Sequence, residues 1–210
     1  MYQLVRYFGD WRVELNSEKT ENIIFTRKFT ENSMLTKLRV HHKPITEEPQ
    51  VKYLGVVLDK RLSFKRHIDK TMTSANATLR QLYSMMTTKK SGLDMTNKLT
   101  IYKTIVRPIV TYTAPVWYGI SDTQMTRLGG FQNEYFRLIT GQNRYARIAD
   151  MVAVTGLETV WEHVNRLSKR FYLTRLQQSL LTRNLLRDGP KAKHQPAYHR
   201  LEIYDMTKNN

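Results

Sequence analysis

The spacing of hydrophobic residues changes near residue 60, and this change restricts the possible folds more than any other feature of the chain. Before it, apolar residues form three short runs at residues 22–27, 38–41 and 51–58, separated by polar, turn-forming stretches. These runs predict three strands of a small antiparallel meander. A short helix over residues 2–9 is predicted before the first strand.

After residue 60 the apolar residues recur every three or four positions, as they do on one face of an α-helix. Ser63 is a predicted cap of the first helix. Its predicted inward face comprises Phe64, Ile68, Met72, Ala75, Leu79, Leu82 and Met86. Asp94 is the predicted cap of the second helix. Pro108 is expected to kink or divide that helix, because proline lacks the backbone N–H group.

Three further helices are predicted in the remaining sequence. The first begins at Ser121-Asp122 and ends at Gly141, a residue type that commonly terminates helices. The next two cover about residues 147–154 and 158–186. The second of these has a predicted inward face of Val160, Val164, Leu167, Phe171 and Leu176.

The predicted fold class is therefore α+β, with a small antiparallel β meander followed by a mainly α-helical bundle. We divide the chain into residues 1–60, which hold the strands, and residues 61–187, which hold the bundle. Residues 188–210 are rich in Pro, Lys, His and Asn and are predicted to be a flexible tail.

Positive charge is concentrated in the helical part of the sequence. The chain has 34 Lys and Arg residues against 18 Asp and Glu residues, a formal net charge of +16. Residues 61–150 alone contribute +9 of that charge. A surface of this sign favours a polyanionic partner, most naturally a nucleic acid, although basic residues also serve simply to keep a protein in solution.

Several classes of protein are excluded by the sequence. The absence of Cys excludes a disulfide scaffold, a zinc ribbon and a thiol nucleophile. Neither a Gly-x-x-x-x-Gly-Lys loop nor a Gly-x-Ser-x-Gly elbow occurs. No uncharged run, residues 109–121 included, is long enough to span a bilayer, and no signal peptide is recognised. We therefore expect an intracellular protein of the nucleus or cytoplasm with no membrane partner.

Carboxylates that could hold a metal ion are not paired in the sequence. No two Asp residues are adjacent, and only Asp59 follows a convincing strand. Its position favours a role as the hydrogen-bond acceptor of the turn that follows, over residues 59–61. No metal site is predicted in this chain.

An ordered series of segments resembles one family of polymerases. The segments are residues 11–25, 51–59, 62–68, 99–102, 105–108, Tyr112, 116–117, 131–133 and 137–141. Together they are similar to the reverse transcriptases of jockey-type non-LTR retrotransposons, and the similarity covers about residues 1–185. The resemblance implies the end of a polymerase palm, with its primer-grip strand, followed by a helical thumb. It also implies that the Mg²⁺-binding aspartates of the intact enzyme lie upstream of this segment.

The resemblance also implies roles for individual residues. Lys19 matches a palm lysine proposed to act as a proton donor or cation when pyrophosphate leaves, and a solvated loop lysine is the alternative. Tyr53, Leu54 and Gly55 match the primer-grip strand, although core packing also explains them and is the expected state of Leu54.

Basic residues of the implied thumb are the candidate contacts to the phosphates of a template–primer duplex. They are Lys65, Arg66 and Lys70 on the first helix, Lys89 and Lys90 in the turn after it, and Lys98 and Lys103 on the second helix. The aromatic residues at helical spacing are expected in the core rather than at a base-stacking surface. They are Tyr102, Tyr112, Trp117 and Trp161.

Three functions are compatible with the sequence. The chain is a fragment of an RNA-directed DNA polymerase that binds template–primer RNA or DNA beside the remaining fingers and palm, or a non-catalytic nucleic-acid-binding module derived from one. The third possibility is a helical interaction protein whose charge is incidental.

The isolated chain is expected not to extend a primer on an RNA template with Mg²⁺ and deoxynucleotides. Two-metal nucleotidyl transfer needs closely paired carboxylates, and the sequence offers none. A primer-extension assay on the purified 210-residue chain tests this expectation. Template-dependent incorporation that disappears in the Asp59→Asn variant would contradict it.

Overall fold

In the computed structural model of the chain, residues 2–26, 38–40, 43–87 and 91–178 are described. The chain divides into two compact units between His67 and Ile68. Short strands dominate the first unit and helices the second, so the expected α+β class is confirmed. The predicted tail at 188–210 lies outside the described residues.

The first unit contains one helix and two separate antiparallel strand pairs. Helix α1 runs over Tyr2–Asp10, as predicted. The strands are β1 (Arg39–Val40), β2 (Lys43–Pro44), β3 (Gln50–Tyr53) and β4 (Val56–Asp59). β1 pairs with β2 and β3 pairs with β4, and these two pairs belong to different sheets.

The prediction of a three-stranded meander is wrong. The run at 51–58 is not one strand, because the chain reverses at Leu54-Gly55 and places Tyr53 opposite Val56. Both turn residues have positive φ, 45° and 86°, as in the mirror-image turns that match the twist of a two-residue hairpin. Among its described residues, the run at 22–27 contributes only an isolated bridge between Asn22 and Glu47.

Seven α-helices follow the strands in the part of the chain that the structure describes. They are α2 (Lys65–Met86), α3 (Met95–Ile101), α4 (Arg107–Thr111), α5 (Ala114–Trp117), α6 (Asp122–Thr140), α7 (Ile148–Thr155) and α8 (Val160–Gln178). Within the described part of the chain, no helix is long and apolar enough to cross a membrane.

The predicted helix boundaries are largely confirmed. The side chain of Asp94 caps α3 by accepting a hydrogen bond from the backbone N–H of Asn97 at 2.9 Å. Gly141 ends α6 with a φ of 69°, in the left-handed region that favours glycine. The helix continues without a break through Gly129-Gly130.

A π-helical turn over Tyr102–Val106 separates α3 from α4. In this turn the backbone N–H of Arg107 donates to the carbonyl of Tyr102, five residues earlier. Pro108 follows directly. Since its ring would clash with a carbonyl of a regular helix, the wider turn accommodates the proline. Pro108, where a kink or division is expected, is thus preceded by an interruption of the regular α-helix, although the backbone stays helical from Met95 to Thr111.

A cluster of buried aromatic rings forms the core of the helical unit. Tyr102 and Tyr135 lie with ring centroids 5.2 Å apart, and Phe131 lies 5.4 Å from Tyr135. Phe136 is fully buried beside them, with its ring centroid 6.4 Å from that of Tyr102. Burial raises the pKa of Tyr102 to about 12, so its hydroxyl stays protonated at any physiological pH.

Some predicted inward residues of α8 lie elsewhere. Val160 and Val164 are buried, as predicted, but Phe171 is 44% exposed, so its assignment to the core is wrong. The side chain of Leu176 and the predicted continuation of the helix over 179–186 lie outside the described residues.

The buried amide of Gln132 joins α6 to the start of α8. Its Nε2 donates to the carbonyl of Glu158 at 2.9 Å, and its Oε1 accepts from the backbone N–H of Val160. Gln132 is only 1% exposed. Because the first N–H groups of a helix have no partner within the helix, this side chain performs the role of a cap from another helix.

Replacing Gln132 by Ala should lower the free energy of unfolding by about 3 kcal/mol, because two buried backbone groups lose their partners. Asn133→Ala, at the neighbouring position, is the matched control and should cost less than about 1 kcal/mol. Urea denaturation of both variants measures the difference. Equal stability of the two variants would contradict the bridging role of Gln132.

Candidate nucleic-acid interface

Helix α2 presents a row of basic residues at its N-terminal end. Lys65, Arg66 and Lys70 are exposed, whereas Phe64 and Ile68 are buried. At about 100° per residue, Arg66 and Lys70 lie within about 40° of each other around the helix, and Lys65 lies about 100° from Arg66. We call these three residues the α2 cation row. None of them forms an ion pair with an acidic side chain in the described part of the chain.

The carboxylate of Asp59 organises the loop that leads from β4 into α2. Oδ1 accepts from the backbone N–H groups of Arg61 and Ser63, both at 3.1 Å. Oδ2 accepts from the Ser63 hydroxyl at 3.1 Å and from the backbone N–H of Phe64 at 2.8 Å. The expected role of Asp59 as a turn acceptor is confirmed.

The same loop contains two residues in a sterically unfavourable conformation. Leu62 and Phe64 have φ values of 51° and 56°, in the left-handed region that non-glycine residues rarely adopt. Such a conformation costs about 1 kcal/mol or more per residue and persists only where other contacts require it. Here the hydrogen bonds that Asp59 accepts hold Leu62 and Phe64 in this conformation.

The pKa of Asp59 reflects this network. Partial burial raises the pKa, but the hydrogen bonds from Ser63, Phe64 and Arg61 outweigh it and place the pKa below its ordinary value of 3.8. Since the folded-state pKa is lower than the unfolded one, the carboxylate contributes stability above about pH 4. That contribution is lost as the pH falls through the folded-state pKa.

Replacing Asp59 by Ala should therefore destabilise the protein by about 1–3 kcal/mol at pH 7 and by much less near pH 2. Asp10→Ala, at the end of α1, is the control and should change stability little at either pH. Thermal unfolding followed by circular dichroism at both pH values measures the effect. A pH-independent difference between wild type and Asp59→Ala would show that the charged network is not the cause.

The β3–β4 turn places its residues at the surface. Tyr53 is 65% exposed and Leu54 is 73% exposed, so the expectation that Leu54 packs in the core is wrong. In a two-residue hairpin loop the side chains at the reversal point away from the strands, which explains this exposure. The three residues matched to the primer grip thus form a protruding turn rather than the middle of a strand.

Lys19 also lies at the surface, in a turn held by Asn16. Asn16 Oδ1 accepts from the backbone N–H of Glu18 at 2.8 Å and from that of Lys19 at 3.2 Å. Within the described residues the ammonium group of Lys19 has no acidic partner.

The remaining candidate lysines are distributed differently. Lys103 is exposed, in the π-helical turn. Lys98 is only 2% exposed, so a duplex phosphate cannot reach it, and we leave it out of the interface. Lys89 and Lys90 lie outside the described residues.

Several other basic side chains are already neutralised within the fold. Glu158 accepts from His163 Nδ1 at 2.6 Å and from Arg166, and it lies 3.8 Å from Arg107. The hydrogen bonds from Arg166, together with those from His163, lower the pKa of Glu158 to about 2. Arg127 pairs with Asp69 at 2.8 Å. The α2 cation row is distinguished from these groups by having no such partners.

The aromatic residues expected in the core are divided between core and surface. Tyr102 and Trp117 are buried, as expected, but Tyr112 is 51% and Trp161 is 53% exposed. Tyr112 lies where α4 ends, and Trp161 is the second residue of α8. Helical spacing alone does not tell which aromatic residues are buried and which are exposed.

Across the described ranges, no three His, Asp or Glu side chains lie close enough together to hold a metal ion.

Comparison with known proteins identifies relatives of this chain. It is 31% identical over 171 residues to a probable RNA-directed DNA polymerase from transposon X-element of Drosophila melanogaster, a match covering 81% of this chain and 18% of the relative. It is 31% identical over 182 residues to a probable RNA-directed DNA polymerase from transposon BS of the same species, with 86% and 20% covered. The chain is a relative of the jockey-type retrotransposon reverse transcriptases.

A third relative carries the name of that family. The chain is 25% identical over 162 residues to the RNA-directed DNA polymerase from mobile element jockey of Drosophila funebris, covering 77% of this chain and 17% of the relative. The chain thus spans about a fifth of the length of its jockey-type relatives. No protein-family profile matches the chain, and no solved structure matches it.

Proposed function

We propose that this chain is the end of the palm and the thumb of a jockey-type reverse transcriptase, and that it binds a template–primer duplex through its phosphates. The observation that carries the proposal is the α2 cation row in a chain related to RNA-directed DNA polymerases. Contacts to phosphates position a duplex without reading its sequence, which suits a polymerase that copies any template.

The geometry of α2 supports this role. Its buried side includes Ile68 and Ala75, and the opposite side, with Arg66 and Lys70, is exposed. When an exposed cation binds a phosphate, the counterions of that phosphate are released. A cation that forms no ion pair within the protein can do so without first breaking one. Lys103 is a further exposed cation that extends the proposed phosphate contacts.

The β3–β4 turn and Lys19 have proposed roles close to the reaction. The protruding residues Tyr53, Leu54 and Gly55 would support the 3′ end of the primer. Lys19 would act as a cation or proton donor toward leaving pyrophosphate. DNA polymerases typically use a metal ion, and we propose that Mg²⁺ is held by the remaining palm of the parent enzyme.

Changing Lys65, Arg66 and Lys70 together to Ala should flatten the salt dependence of duplex binding. Neutralising four to six phosphates predicts a slope of log K against log salt of about −3 to −5 for the wild type. Each lost phosphate contact removes about 0.7 to 0.9, so the triple variant should differ by about 2 to 3. Fluorescence anisotropy with a blunt RNA–DNA duplex at several salt concentrations measures the slope.

The matched control changes Arg6, Lys43 and Arg170 to Ala, which removes the same charge at exposed positions outside α2. Its slope should differ from that of the wild type by less than 1, because screening weakens charges distant from the duplex. Equal slopes for the two triple variants, or a wild-type affinity that does not depend on salt, would exclude duplex gripping by α2.

A further inference from the structure

The turn between α6 and α7 presents an aromatic side chain that none of the roles above uses. Tyr145 is 77% exposed, more than Tyr53 or Leu54 in the β3–β4 turn. Exposing an aromatic ring of this size to water is unfavourable, since its burial is worth about 1.5–3 kcal/mol. A ring held in this position is suited to contact another flat, apolar surface.

The position of the ring is fixed by its neighbours. The guanidinium carbon of Arg144 lies 4.8 Å from the ring centroid of Tyr145, and its Nη2 donates to the tyrosine hydroxyl at 2.6 Å. The backbone N–H of Tyr145 donates to Asn143 Oδ1 at 2.9 Å, and that of Ala146 donates to the Asn143 carbonyl at 3.2 Å. The turn therefore limits the freedom of the ring before any ligand binds.

The surroundings of the ring are positively charged. Residues 135–149 include three arginines and no acidic residue. Arg144 and Arg147 are exposed, and neither forms an ion pair with any acidic side chain that the structure describes. An exposed ring between two such arginines matches a ligand that combines an aromatic face with a negative charge.

We propose that the α6–α7 turn binds an unpaired nucleotide of single-stranded nucleic acid. The base stacks on the face of Tyr145 that Arg144 leaves open, and the adjacent phosphate lies against Arg147. Bases inside a duplex are already stacked on each other, so only an unpaired base can present its face to the ring. The inference deepens the proposed function by adding a single-strand contact to the duplex contact of α2.

The affinity for a 12-nucleotide single-stranded RNA tests this contact directly. Tyr145→Ala should weaken binding about 5- to 150-fold, since stacking contributes about 1–3 kcal/mol per base. Tyr145→Trp should remain within about threefold of the wild type, because the larger ring also stacks. Tyr145→Ala should leave the salt slope unchanged, whereas Arg147→Ala should flatten it by about 0.7.

Two comparisons separate this contact from duplex gripping and from general effects. A blunt RNA–DNA duplex should bind to Tyr145→Ala within about twofold of the wild type, while the triple α2 variant loses duplex affinity. Tyr83→Ala removes another exposed tyrosine, which is 56% exposed on α2, and should not alter single-strand binding. Circular dichroism confirms that each variant is folded.

Three results would overturn the inference. The first is a wild-type chain that does not bind the single strand, and the second is single-strand affinity of Tyr145→Ala equal to that of the wild type. The third is an equal loss of single-strand and blunt-duplex affinity in Tyr145→Ala. Loss of single-strand binding in this variant supports the inference even where the α2 variant shows that duplex gripping is absent.

Discussion

The carboxylate of Asp59 holds together the loop through which the last strand of the β3–β4 hairpin becomes the first turn of α2. It accepts four hydrogen bonds within five residues, and two residues of that loop adopt left-handed φ angles. Without these bonds the loop would relax toward ordinary backbone conformations, because the left-handed region is unfavourable for side chains such as those of Leu62 and Phe64. The turn after which α2 begins at Lys65 therefore depends on this one acidic group.

Electrostatic pairing inside the helical unit determines which basic residues are left for a ligand. The carboxylate of Glu158 contacts His163, Arg166 and Arg107, and Asp69 forms an ion pair with Arg127. These contacts join helices and stabilise the fold. The α2 cation row and the arginines of the α6–α7 turn form no such ion pairs among the described residues, so their charges are available to phosphates.

The sequence predicted the helical part well because its helices have both periodic apolar residues and identifiable ends, such as the Asp94 cap and Gly141. It did not predict the β3–β4 hairpin, because Val51 to Leu58 is apolar on both sides of the turn and Leu-Gly is not a common turn pair. The burial of Lys98 could not be predicted from the sequence either, because it results from tertiary packing and not from the residue type. The exposed pair Arg144-Tyr145 had one sequence signal, the Gln-Asn turn before it, but turn residues do not reveal that a ring is held in place.

Acylation of lysines in the presence and absence of a blunt RNA–DNA duplex, read by mass spectrometry, tests the central claim of phosphate contact along α2 most directly. Saturating duplex is expected to protect Lys65 and Lys70, while Lys43, whose side chain is 66% exposed, keeps its reactivity. Lys98 should react slowly in both conditions, because it is buried. Equal acylation of Lys65 and Lys70 with and without bound duplex would contradict the account.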